Sequence, residues 1–148
     1  MEKDVVISIK GVQRYENADP DTMELVTEGR LEREGNSYTL SYQESELTGL
    51  EGTLTTFQIE PERITLMRVG EFNSQMVFQE GRRHMAMYNT PYGAMTIGVN
   101  THHLLAELTD RGGDIEIDYA IEIDHTVAGR NTFQIRIKES EGAVSLKA

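Results

Sequence analysis

The 148-residue chain has no cysteine, no tryptophan and only three prolines. Without cysteine there is no disulfide, no thiolate nucleophile and no Cys-ligated zinc or iron–sulfur cluster. Basic residues are scarce: 14 Lys and Arg stand against 25 Asp and Glu, a formal charge of −11. Nucleic acid and anionic membrane surfaces both call for basic patches, so neither is expected as a partner. Long apolar runs are missing too. Nothing approaches the roughly 18 uninterrupted apolar residues of a membrane-spanning helix. The opening MEKDVVISIK also lacks the apolar run of about 7–15 residues that marks a signal peptide. The expected address is the cytoplasm. With no linker, low-complexity tract or repeat, residues 1–148 read as one domain, with 141–148 as a fraying tail.

What the chain does have is period two. Ile115, Ile117, Tyr119, Ile121 and Ile123 alternate with Glu116, Asp118, Ala120 and Glu122, the pattern of a strand with one buried and one wet face. Phe133, Ile135 and Ile137 repeat it against Gln134, Arg136 and Lys138, and Ala128-Gly129-Arg130 between the two predicts a hairpin loop. Further strands are predicted at Val5–Ile9, Met23–Glu34, Ser37–Glu44, Thr53–Ile59, Ile64–Val69, Gln75–Gln79, Arg83–Tyr88, Ala94–Val99 and His103–Leu108. Leu104, Leu105 and Leu108 also fit the start of a helix. Glycines in Glu34-Gly35-Asn36, Glu80-Gly81-Arg82 and Arg111-Gly112-Gly113 fall between runs, as do all three prolines. Connections this short exclude crossover helices, so neighbouring strands are antiparallel. The reading is all-β: an antiparallel up-and-down barrel of about 8–10 strands. Its inward face is predicted to carry Ile7, Ile9, Tyr38, Leu40, Tyr42, Phe57, Ile117, Tyr119, Ile121, Phe133 and Ile135.

Four segments carry a likeness: YTLSYQE at Tyr38–Glu44, ITLMRVGEFNSQMVFQEG at Ile64–Gly81, MYNTPYGAMTIGVNT at Met87–Thr101 and GGDIEIDYAIEI at Gly112–Ile123. In these the chain resembles the YwiB-like family of uncharacterised bacterial proteins, similar in turn to the calycins. The resemblance implies a lipocalin-like barrel, many of whose relatives hold a small apolar ligand in the lumen. It implies no catalytic residue, and the signature tryptophan of lipocalins proper has no counterpart here.

Candidate chemistry is thin. His102-His103 invites a metal, but adjacent residues of a strand point to opposite faces, and His84 and His125 show no ligand spacing, so no metal site is expected. No cofactor fingerprint or nucleophile elbow is present, and no catalytic residue is assigned. Carboxylate pairs such as Glu44/Glu46 are read as solvated face. Asn89-Thr90-Pro91-Tyr92-Gly93 is read as a tight turn, with a portal as the alternative. Met67, Met76, Met85, Met87 and Met95 suit a ligand lumen, a protein interface or plain core filling. Among the clustered Arg63, Arg68, Arg82 and Arg83, Arg68 shares a strand face with Ile64 and Leu66. It is expected to point inward, either to hold a ligand carboxylate or to pair with an internal acid.

The leading functional reading is a non-enzymatic barrel that binds a small apolar or amphiphilic ligand at Tyr42, Arg68, Phe78, Tyr88 and Tyr119. The rival is a side-chain-filled barrel acting as a protein-interaction module, and an enzyme of unknown type ranks third. The strands between Ile64 and Tyr88 carry apolar residues on both faces, and a barrel has one interior. A homodimer through their outer face is therefore expected.

Overall fold

Alternating side chains leave each segment one apolar face to bury, and connections of two to nine residues fold each segment back on its predecessor. The computed structural model describes residues 2–15, 18–45, 50–70, 73–90, 93–123 and 126–140, without the side chains of 88–90. Among these residues the chain forms ten strands: β1 (Glu2–Arg14), β2 (Asp21–Glu34), β3 (Ser37–Gln43), β4 (Thr53–Ile59), β5 (Ile64–Gly70), β6 (Ser74–Phe78), β7 (Arg83–Thr90), β8 (Gly93–Thr109), β9 (Gly112–Ile123) and β10 (Thr126–Glu139). Each pairs antiparallel with its chain neighbour, and β1 also pairs with β10, closing an up-and-down barrel. Gly35 and Gly81, at φ of 61° and 75°, supply the left-handed step in the β2–β3 and β6–β7 turns.

Three local expectations change. The segments Ala94–Val99 and His103–Leu108 are one strand, β8, and Leu104–Leu108 is extended rather than helical. The register against β9 jumps between Thr101 and His103, so His102 is the extra residue of a β-bulge. That insertion switches the inward set from Ile97, Val99 and Thr101 to Leu104 and Leu108. A strict two-residue period therefore appears broken into two runs. Likewise, Ala128-Gly129 lies inside β10 as a second bulge, between Val127 and Gly129, rather than in the hairpin loop. The predicted tail 141–148 lies outside the described residues.

The interior is built from the inward residues of all ten strands. Ile7, Ile9, Leu40, Tyr42, Phe57, Ile117, Tyr119 and Ile135 are buried, while Tyr38, Ile121 and Phe133 pack partly buried against them. Gly29 is a steric requirement: a Cβ there would stand 2.5 Å from Ile7 Cδ1. Outward positions on β1, β2, β9 and β10 carry charges, and Arg136 Nε meets Asp114 Oδ1 at 3.1 Å across the β9–β10 ladder. On these four strands, apolar inside with charge outside is the reverse of a transmembrane barrel. No helix among the described residues is long and apolar enough to cross a membrane. The fold predicts that Ile117→Ala, which leaves a cavity at a fully buried site, costs about 2–5 kcal/mol in a urea melt. Exposed, outward Lys10→Ala should stay within about 0.5 kcal/mol.

Candidate functional site

One end of the interior is apolar and the other is not. Where β4 runs into β5, Ile59 and Ile64 pair across the turn, and Ile64 pairs onward with Phe78. At the opposite end the inward residues are Tyr42, Thr55 and Arg68, consecutive partners across β3, β4 and β5, and the same row continues through Ser74, Tyr88 and Met95. Three of the five predicted site residues, Tyr42, Arg68 and Tyr88, thus fall in one row of paired positions. For Tyr88 this is a backbone statement, because its side chain lies outside the described ones. Tyr119 faces the row from β9, with Phe78 packed behind it at a ring separation of 4.7 Å and Phe133 beside it at 5.9 Å. Phe78 itself is fully buried core.

A carboxylate missed by sequence reasoning completes the polar end. Glu44 is not on a solvated face. Its side chain is 1% exposed and its Oε2 lies 3.8 Å from Arg68 Nε, while Thr55 Oγ1 donates a 2.5 Å hydrogen bond to the same oxygen. At 3.8 Å the Arg68 contact is an ion pair and not a hydrogen bond, so the buried Nε proton has no acceptor. A missing acceptor on a buried donor is expensive, which makes this atom a place where something polar belongs.

Beside Arg68 the interior opens into a cavity of about 370 Å³. Its apolar wall includes Leu66, Met76 and Phe133, its polar wall includes Arg68 and Asn131, and the Tyr119 ring lies between. The rim is formed by the end of β1 and the start of β2, through Gln13 and Asp21. The space exists partly because Gly11 is a glycine. It follows Val5, Ile7 and Ile9 on the inward face of β1, and a Cβ there would meet the Phe133 ring at 3.2 Å. A larger groove of about 900 Å³ crosses the outside of β1, β2 and β8–β10, between side chains of both charges such as Lys10, Glu24 and Arg136, and is open surface relief.

The remaining candidates disperse. His103 is exposed on the outside, with ring nitrogens 3.5 Å from Glu80 and 3.6 Å from Glu116. His84 contacts Gln79 at 3.1 Å, and His125 lies outside the described residues. Among the described residues no three metal-ligating side chains converge. Arg63 pairs with Glu60 at 3.2 Å and Arg83 with Glu122 at 2.9 Å. Met76 lies in the core, Met67 is half-buried, and Met85 and Met87 are exposed outside. Thr90 pairs with Gly93, at φ 119°, as a tight β7–β8 connection requires, while 91–92 lie outside the described residues.

The polar end leaves a mark on ionisation. Burial pushes the Tyr42 phenol well above the usual tyrosine range, and the Glu44 charge pushes it further, against the opposing pull of Arg68. Above about pH 10 the unfolded chain releases this proton and the folded chain keeps it, so stability present below that pH is lost as the pH rises. Phenolate absorbance should therefore show Tyr42, one of six tyrosines, ionising only as the barrel unfolds. Tyr42→Phe should flatten the alkaline fall in stability.

Compared with known proteins, the chain matches the family model described as "Domain of unknown function (DUF1934)" over residues 7–135. A comparison with curated proteins finds no match. Among solved structures, the crystal structure of the ywiB protein from Bacillus subtilis aligns with a TM-score of 0.82 at 20% identity, covering 94% of this chain and 93% of that one. At that identity the likeness speaks to the fold, and it is the same barrel over nearly its whole length. With most of its ring inside the family model, this chain belongs to the DUF1934 family.

Proposed function

We propose that the protein is a non-enzymatic cytoplasmic carrier or sensor that takes a small amphiphile, an acid with a compact apolar or aromatic body, into the polar end of the barrel. The observation that carries this reading is the buried Arg68 Nε without an acceptor, on the wall of a cavity whose other side is apolar. A guanidinium is a planar donor fork suited to a carboxylate. Leu66, Met76, Phe133 and the Tyr119 ring offer the apolar body a surface. The sequence resemblance to a calycin-like family, many of whose relatives hold a small apolar ligand in the lumen, supports the same reading.

Size narrows the class. At about 370 Å³ the cavity is near the lower end of the roughly 300–1,000 Å³ seen for small-molecule sites. The apolar half of the barrel beyond it is filled by residues such as Phe78, Ile64 and Leu40. A short-chain or aromatic acid fits this space whole, whereas an extended long-chain fatty acid would have to leave its tail outside, because the half of the barrel beyond is filled.

Calorimetric titration with benzoate, octanoate and palmitate, each beside its amide, tests the reading. The two short acids should bind, palmitate should not, and losing a charged hydrogen bond worth about 1.5–3 kcal/mol should weaken the amides by about 10- to 150-fold. Arg68→Met is best combined with Glu44→Gln, because Arg68→Met alone strands a buried carboxylate. The double variant should fold and lose the preference for acids, and Gly11→Leu should occlude the cavity. If no short acid binds at millimolar concentration, or if binding survives both variants, the reading is wrong.

A further inference from the structure

The outside of the barrel is divided as sharply as the inside. On β1, β2, β9 and β10 the outward positions include Lys10, Glu24, Glu28, Glu116, Asp118 and Arg136. On β3–β6, and on the facing parts of β7 and β8, the described outward positions carry no charge at all. They form cross-strand rows: Gln43, Leu54 and Val69; then Ser41, Thr56, Met67 and Gln75; then Thr39, Gln58, Thr65 and Val77. Met85 and Met87, paired with Gly98 and Thr96, extend the face across β7 and β8. Val69, Met85 and Met87 are more than half exposed, at 64%, 60% and 62%. Arg83, paired with Glu122 at 2.9 Å, marks its border. In a chain of net charge −11, an apolar, Thr- and Gln-rich face of this extent is a place that is kept free of charge.

We propose that this face is the contact between two copies of the chain, related by a two-fold axis. Charge selects the occupant. In an isologous contact each side chain near the axis meets its own copy, so any charge there would face its like; an uncharged patch is what self-association requires. A basic partner would be drawn instead to the acidic sides of the barrel, and an acidic one would be repelled by the whole molecule. Thr and Gln side chains also satisfy one another across a two-fold without ordering a counter-ion. Six strands wrap more than half way around the ten-stranded ring, so a second barrel meets about four of them at once; with strands about 4.8 Å apart and three outward positions roughly 6.8 Å apart, the contact is about 19 by 20 Å. Two such faces bury about 800 Å², the size of a weak, transient interface. The dimer is therefore weak and reversible. Because the copies repel through their net charge and not through the contact, added salt strengthens it.

Sedimentation velocity from about 1 to 300 µM, at low and moderate salt, should show a monomer–dimer equilibrium that shifts toward dimer as salt rises. Met85→Glu and Met87→Glu, both at exposed sites, should keep the native circular dichroism and melting temperature, and each should weaken association at least tenfold. Leu105→Glu, also exposed but on the charged side of the barrel, paired with Glu116 and in the groove with Lys10 and Arg136, adds the same charge and should leave association nearly intact. In the unmodified protein, ¹³C-methyl signals of Met85 and Met87 should move with concentration while that of buried Met76 does not. A monomer throughout the range, association weakened by salt, equal loss in Leu105→Glu, or concentration-independent Met85 and Met87 signals would each overturn the proposal.

Discussion

Because β1 is hydrogen-bonded to both β2 and β10, the sheet has no edge, and each strand residue faces either one shared interior or the outside. All else in the molecule is arranged within that constraint. Most backbone donors and acceptors pair around the ring, and side chains serve where pairing lapses, as Glu80 Oε1 does in accepting from Leu104 N at 3.0 Å. The inward set then has to fill a tube of fixed width, which is why Gly29 and Gly11 appear where Ile7 or Phe133 already occupies the space. The outward set is free of that duty, and it is there that the acidic excess is housed.

Within the tube, packing and polarity trade places along the axis. Ile59, Ile64, Leu66 and Phe78 form a core in which deletion of a methyl group would be felt directly. Toward the other end, Tyr42, Glu44, Thr55 and Arg68 are held by one another at a considerable desolvation cost. A buried ion pair of this kind contributes little net stability beside a well-packed apolar alternative. Loosely matched at 3.8 Å, and with Arg68 open on one flank to a cavity, it is a weak brace for the fold.

The strands were legible because alternation is a one-dimensional signal, and most inward residues followed from it: Ile117 and Tyr119 on β9 or Leu40 and Tyr42 on β3 needed nothing beyond their neighbours. Failures came where a single inserted residue shifts the phase. His102 split β8 into two apparent strands, and Ala128-Gly129 passed for a turn, since a bulge and a loop use the same residue types. Arg68 was legible as inward from Ile64 and Leu66. Glu44 was overlooked although it continues the series Tyr38, Leu40, Tyr42; a carboxylate in core phase is itself a signal, as are Thr53 and Thr55 ahead of Phe57. Gly11, ending the series Val5, Ile7, Ile9, marked the cavity in the same way. Which inward aromatics line space and which fill it depends on the stagger of the ring, so Phe78 and Tyr119 could not be told apart from sequence.

The ladder that closes the ring differs from the rest in one respect. Nine of the ten strand contacts join chain neighbours, but β1 with β10 sets Val5 against Glu139 and Ile9 against Ile135, and beyond the last rung Ser140 N donates to Asp4 O at 3.1 Å. Hairpins between neighbours can zip locally and early, each closing a short loop. The seam between first and last strand closes nearly the whole chain at once, with the loop entropy that entails. Folding of this barrel thus has a natural last step, and until β10 arrives the open edges of β1 and β10 are exposed to any other strand. β10, made after the other nine strands, is also the piece that locks the ring.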